Sequence, residues 1–421
     1  MMQEEFLHYI WQYQLFNHSS LKTTDGELIS VLNPGFLNTH SGPDFSDAKI
    51  RIGDNIWIGN VEIHKKSSDW FSHNHHFDNA YKSVILHVVY TSDFSKVENV
   101  PELSLLGRID LHRHLQWKKL VNHPDWIPCL NSIGDVPDII KLQAIERLSV
   151  ERLQRKTDEV YKLHVRYNGN WEKTLLIMIS RSLGAKVNSP PFQVLAELIP
   201  LNNIKKLKGK LLSIEALIFG LSGLLKPQKG DAYVEKLVHE YDFLKRKYSL
   251  DEMNSTHWKF MRMRPANFPS LRIAQFSLIL NNWDKLIEQL FYNSSVENLT
   301  SILQQPMNIY WKSHYRFGKT AKVKSSKLGS TMVNLILINS IVPFLYTYGK
   351  AHDDASLQES AIETLQQIKS ENNSIISRWK SIGIENRSAF ESQGLIELKN
   401  EYCTFKKCLT CKIGVWILNR E

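Results

Sequence analysis

The sequence predicts an α+β fold, with a small mixed α/β sheet in residues 1–130 and a mainly α-helical, basic part in residues 131–421. Three observations predict it. Short segments rich in Val and Ile, separated by turn residues, crowd into the first 111 positions. After Pro137 the apolar residues fall into the helical period. Charge and histidine content divide in a similar place: residues 1–90 carry a net −4 and half of the 16 histidines fall in the first 87 residues, whereas the whole chain is +9.

Taken in order, residues 4–16 place Phe6, Ile10, Tyr13 and Leu15 at helical spacing with no Gly or Pro, which predicts an opening amphipathic helix. Strands are expected over 27–32, 48–52, 56–64 and 83–91, with a last one over 105–111. Asn33-Pro34-Gly35 and Gly53-Asp54-Asn55 punctuate them, and a short helical or irregular crossover is expected over 77–82. Beyond Pro137, Leu142, Ile145, Leu148 and Leu153 form one stripe, and similar stripes recur to about residue 385. Breaks are expected at Asn188-Ser189-Pro190-Pro191, Lys226-Pro227, Arg264-Pro265 and Pro269, and residues 353–373 read as an exposed helix.

A chain of 421 residues with 43% hydrophobic and 23% charged residues has the length and composition of a multidomain globular protein, which excludes fibrous and disordered classes. The start, Met1-Met2-Gln3-Glu4-Glu5, lacks the basic and apolar regions of a secretory signal. The most apolar later stretch, 333–346, contains Asn339 and Pro343 and is read as too short to span a bilayer. Four cysteines make no disulfide framework. A cytoplasmic protein with no membrane partner is expected.

Chemistry concentrates between residues 40 and 90. Gly42-Pro43-Asp44-Phe45 precedes one expected strand, and Gly59-Asn60-Val61-Glu62-Ile63-His64 lies on the next. Alternation along a strand puts Glu62 and His64 on one face and Ile63 on the other. Asp44 and Glu62 can then share a divalent cation, because hard cations favour carboxylate oxygens and an open coordination position activates water. The following segment holds His73, His75, His76 and Asp78, and the next strand holds His87. Imidazoles added to the carboxylates widen the candidate ions from Mg to Mn or Zn. The set of candidate ligands is Asp44, Glu62, His64, His73, His75, Asp78 and His87.

Pro43-Asp44 followed by Glu62-Ile63-His64 resembles the PD-(D/E)xK nuclease superfamily over about the first 110 residues. The resemblance implies a restriction-endonuclease-like sheet and metal-dependent phosphodiester hydrolysis, with Asp44, Glu62 and His64 as catalytic residues. Some branches add a helical Glu before the sheet, for which Glu5 is the candidate. His64 stands where the superfamily has lysine, and Lys65 points to the other face of a regular strand. Over nearly its full length the chain also resembles a bacterial family known as a domain of unknown function, through the strings GPDF, GNVEIH, DWFSHNHHFDNAY, VILHVVY, RPANFPSLRIAQ and CLTCKIG.

Cys403, Cys408 and Cys411 form a C-x4-C-x2-C group, and Cys129 can add a fourth ligand from afar. Four thiolates suit structural zinc or an iron–sulfur cluster; the competing reading is ordinary cysteines in a terminal helix. In the basic part, Arg152, Arg155 and Lys156 lie along one helix and read as a nucleic-acid-binding face, with solvated charge as the alternative. Tyr310-Trp311-Lys312-Ser313-His314-Tyr315-Arg316 interleaves aromatic and basic groups as single-strand-binding surfaces do, or as a helical core does. No phosphate-loop, dinucleotide or Gly-x-Ser-x-Gly pattern is present. The expected function is a metal-dependent nuclease acting on DNA or RNA. The alternatives are a nucleic-acid-binding or assembly protein without cleavage activity, and a metal-dependent hydrolase of a small substrate.

Overall fold

The computed structural model describes residues 2–38, 40–93, 97–227, 230–292, 295–322 and 327–420. The chain forms two compact units: Met1–Ala144 together with Leu398–Glu421, and Ile145–Glu397. The division therefore falls inside a continuous helix and not at residue 130, and the first unit is built from two separate pieces of chain.

In the first unit, helix α1 (Glu4–Gln12) buries Phe6, Leu7, Tyr9, Ile10 and Trp11. It stops short of residue 16 because Gln14 turns left-handed, with φ 53°, and Phe16 bridges to Ile109. The sheet then builds from β1 (Ile29–Asn33), β2 (Phe36–Leu37), β3 (Phe45–Ile52), β4 (Asn55–Lys66), β5 (Val84–Thr91) and β6 (Glu102–Ser104). Its order is β1-β3-β4-β5-β6 with β2 also on β3; pairs through β4 are antiparallel, and β4–β5 and β5–β6 are parallel. Alternation sets β3, where Ala48, Ile50 and Ile52 are buried and Lys49 and Arg51 exposed. In β4, by contrast, Val61, Glu62, Ile63 and His64 are buried in succession, since both faces are covered there, one of them by α1.

Parallel pairing of β4 and β5 requires a crossover. Residues 67–83 supply it as a short helix α2 (Asp69–Ser72) and two 3-10 turns, His75–Phe77 and Asn79–Ser83. Gly59 lets β5 join closely: a Cβ there would lie 2.5 Å from Ile85 Cγ2. The strand expected over 105–111 lies earlier, as β6. Leu105 N–H still donates to Val89 O at 2.8 Å, but the chain then turns and enters α3 (Leu111–Val121), a helix the sequence reading missed.

In the second unit, α4 (Asp138–Arg166) leads to α5 (Trp171–Leu198), which is broken at Ala185 (φ 48°, ψ −143°). The break falls three residues before the expected Asn188-Ser189-Pro190-Pro191, and both prolines lie inside the helix. Of the expected α4 stripe, Ile145, Leu148 and Leu153 are buried while Leu142 is exposed. Phe192, Phe219, Phe276, Trp283, Trp311 and Phe344 fill one core. Helix Ser330–Ala351 runs for 22 residues, longer than expected, since a π turn over Leu337–Ile341 accommodates Pro343. By length and composition it could cross a membrane, yet 72% of its apolar window is buried within the fold, as in a core helix. Helix Ala355–Gln367 is not solvated all round: Ala361, Thr364 and Leu365 are buried.

Candidate metal centre

Asp44 and Glu62 meet where β3 begins beside β4. The Asp44 N–H donates to Glu62 Oε2 at 3.1 Å, and the Ile63 N–H donates to Asp44 Oδ2 at 2.9 Å. Each carboxylate is thus fixed by backbone on the opposite strand. Gly42, at φ 104°, turns the chain into Pro43-Asp44, and a bulge centred on Asp47 (φ 56°) shifts the register immediately after.

The crossover folds its histidines onto the same face. His64 Nε2 lies 3.2 Å from His73 Nδ1, and the ligand atoms of His64, His73 and His75 all lie within 4.8 Å of one another. Glu62 Oε1 is 3.2 Å from His75 Nε2 and 3.4 Å from His64 Nε2. The crossover is held by Asp93, which accepts from Ser68 Oγ at 2.5 Å and Ser68 N at 3.0 Å. Trp70 packs against the rings of His64, His75 and His87, and Tyr81 stacks on His75 at 3.8 Å.

Behind His64 lies a second row. His64 Nδ1 is 2.9 Å from His87 Nε2, and His87 Nδ1 is 3.6 Å from Glu102 Oε2. Burial, then the nearby His87, His73 and His75, pushes His64 down to about 2; burial, then His75, pushes His87 down to about 4. Both rings are therefore neutral near pH 7. With one proton each, a His64 Nδ1–H donated to His87 Nε2 leaves the His64 Nε2 lone pair facing His73 and His75, while His87 Nδ1–H points toward Glu102 from just beyond hydrogen-bond reach. His75 is also lowered, first by burial and then by His73.

Helix α1 adds a second group. Glu4 and His8, one turn apart, place ligand atoms within 4.8 Å of each other and of Asp44, and His8 Nε2 lies 3.2 Å from Asp44 Oδ2. Burial, then Asp44, raises the carboxyl groups of both Glu4 and Glu62. His8 Nε2, His75 Nε2, His87 Nδ1 and both Glu102 oxygens are buried without a hydrogen-bond partner among the protein groups. At the two ligand groups, the orphaned His8 and His75 nitrogens and the proton kept by Glu62 are what a cation would relieve.

Several expected residues sit elsewhere. Glu5 is exposed, and its neighbour Glu4 faces the site instead. Asp78 is exposed and caps the second 3-10 turn, accepting from Ala80 N at 2.9 Å. His76 is exposed against Phe77. His87 supports His64 from behind instead of facing the two ligand groups. Glu4 and His8 were legible as a helical i,i+4 pair, but Glu102 was not, because only the β5–β6 pairing brings it to His87.

The half-buried residues of the expected nucleic-acid face in the second unit take part in an ion network. Arg152 Nη1 and Arg155 Nη2 each donate to Glu397 Oε2 at 2.8 Å, and Lys156 Nζ donates to Asn339 Oδ1 at 2.9 Å and Gln393 Oε1 at 3.1 Å. Burial, then Arg152, pushes Lys156 down to about 7. Of the aromatic–basic string, Trp311 is fully buried and Arg316 lies 4.3 Å over the Phe260 ring and 4.4 Å over Phe268, while Lys312 and Ser313 are exposed. A cleft in this unit, bordered by Lys156, Arg181 and Lys186, has no group of metal-ligating side chains among the described residues.

Fold and site together define a mixed α/β unit carrying a histidine–carboxylate centre, joined to a helical unit. The chain belongs to the family described as "Protein of unknown function (DUF2851)", which matches residues 4–374. No curated protein and no solved structure matches it.

Proposed function

We propose that this protein is a metal-dependent hydrolase of phosphodiester bonds in DNA or RNA. The observation that carries the reading is the convergence of two potential cation positions, His64/His73/His75 and Glu4/His8/Asp44, with Glu62 touching both sets. A bound cation would polarise a phosphoryl oxygen and acidify a coordinated water. Within this chain, Glu62 and Asp44 offer carboxylate oxygens to a cation, which would displace the proton that Glu62 otherwise keeps, and the His87–His64 pair fixes the direction of the His64 lone pair. A cleft that His8 borders is also lined by Lys406, Lys407 and Tyr402, all of the first unit, and supplies cations for a phosphate backbone. The imidazole-rich ligand set favours Mn or Zn over Mg.

A second reading, a nucleic-acid-binding or assembly protein without cleavage activity, draws on His64 itself. A fully buried, neutral imidazole supplies no permanent positive charge to the transition state. The experiment that decides is cleavage of labelled single- and double-stranded DNA and RNA with Mg²⁺, Mn²⁺ or Zn²⁺, by wild type, Glu62→Ala and His73→Ala. Metal-dependent cutting that both variants lose supports the hydrolase. Salt-dependent binding without cutting by wild type favours the second reading, and cutting that survives in both variants removes this site from the reaction.

A further inference from the structure

All four cysteines of the chain belong to the first unit, where the two segments that carry them lie side by side: Lys399 Nζ is 5.8 Å over the Trp126 ring, and Arg420 Nη1 donates to Asp135 Oδ2 at 2.8 Å. Cys129 follows Ile127 and Pro128, and its carbonyl accepts from Ser132 N at 3.0 Å and Ile133 N at 2.9 Å, so a tight turn holds it. Cys403, Cys408 and Cys411 belong to the returning segment Leu398–Glu421. Between them the chain folds back at Lys406 (φ 55°), with Cys408 N–H donating to Lys406 O at 2.8 Å. Cys411 is the N-cap of helix Lys412–Asn419, whose first turn is pressed against the loop: a Cβ on Gly414 would lie 2.2 Å from Cys408 O.

Cys129, Cys408 and Cys411 are buried, Cys403 is half-buried, and none forms a disulfide. The thiols also feel one another. Burial first, and then Cys129, Cys411 and Cys408, pushes Cys403 far above the ordinary thiol value. Burial, then Cys411, pushes Cys129 up to about 12; burial, then Cys411 and Cys129, does the same to Cys408. Cysteines used as small apolar residues have no reason to gather. Here one comes from the segment around Trp126 and three from the returning segment packed beside it, and buried neighbouring thiols resist ionisation unless a cation accompanies them.

We propose that Cys129, Cys403, Cys408 and Cys411 bind a thiophilic metal centre, a zinc ion or an iron–sulfur cluster, that fastens the C-terminal segment to the rest of the first unit. Four metal–sulfur bonds form as four S–H bonds break and their protons pass to solvent. For a cluster, iron and sulfide are delivered as co-reactants. Lys399 beside Cys403, and Lys406 beside Cys408, offset the negative charge of the tetrathiolate. The centre is independent of the histidine–carboxylate site and of any activity there.

The test is metal and acid-labile sulfide analysis of the anaerobically purified full-length protein, with its visible spectrum, followed by Co²⁺ exchange. Thiolate-to-cobalt charge transfer arises only from sulfur ligands, so it separates this centre from the imidazole site, whatever the fate of the hydrolase reading. The proposal expects one of two results: about one zinc per chain, retained in Glu62→Ala and yielding cobalt–thiolate bands, or iron with matching sulfide and broad visible absorption. Cys408→Ser should lose either signature. Because the cobalt spectrum is read on wild type, a Cys408→Ser variant that fails to fold leaves the test intact. Metal-free wild-type protein that gives no charge-transfer band with Co²⁺, or that yields a disulfide among these cysteines on denaturing alkylation under the same anaerobic conditions, overturns the proposal.

Discussion

Replacing Glu62 with glutamine should stabilise the metal-free protein while weakening its hold on a cation. Glu62 is 4% exposed and lies against Asp44, and both burial and that neighbour raise its carboxyl above the ordinary 4.5. A carboxyl held protonated at pH 7 costs about 1.4 kcal/mol for each pH unit above its ordinary value, or about 3 kcal/mol here. The glutamine amide would have a similar shape and no such cost. The sign follows from the raised folded-state value: wild type has its full stability below pH 4.5 and loses it as pH rises toward the folded value. The advantage of Glu62→Gln should therefore be near zero at pH 4.5 and grow to about 3 kcal/mol at pH 7. Hydrogen exchange at Val61, Glu62, Ile63 and His64, in chelator-treated proteins across a urea series at pH 5, 6, 7 and 8, reads this unit alone. A difference that does not change with pH, or a variant less stable at every pH, would refute the reasoning.

Two further outcomes follow. Because His64 and His87 are already neutral at pH 7, cation binding should release protons from carboxyl groups, Glu62 first, and calorimetry in buffers of different ionisation enthalpy should find at least one; release of none would show that Glu62 is already ionised in the free site. In the second unit, burial raises the Glu397 carboxyl and the bonds from Arg155 and Arg152 more than reverse this. Arg152→Ala should cost about 3 kcal/mol at pH 7, lessening as pH falls below 4.5, and should leave nucleic-acid affinity unchanged; a drop in affinity without a loss of stability would restore the phosphate-face reading.

The residues legible in the sequence were those whose relation is local. Glu62 and His64 follow from strand alternation, Asp44 from the turn before the neighbouring strand, and the crossover histidines from their density. Glu4 and His8 share a helix turn, yet choosing between Glu4 and Glu5 needed the rotation of α1 against the sheet. What stayed hidden depended on distant partners. Arg152 and Arg155 look like a phosphate face until Glu397, more than 240 residues away, is placed between them. Arg316 looks available until Phe260 and Phe268 close on it. A periodic pattern shows that a face exists, and only tertiary structure shows what occupies it.

The returning segment has a consequence for how the protein is made. Tyr9 Oη donates to Asn419 Oδ1 at 2.8 Å, and Arg113 Nη1 donates to Leu418 O at 2.9 Å, so the first unit is finished by residues synthesised after the whole second unit. At about 5–20 residues per second, translation needs tens of seconds to deliver them after Ala144 emerges. During that interval the sheet, with its histidines and carboxylates, must persist without its closing piece while the whole helical unit is made, and α1 keeps one flank uncovered until the segment around Asn419 arrives. Assembly of this unit is therefore timed by the synthesis of the second unit, and a nascent-chain chaperone that shields apolar surface would have its longest task at the first unit.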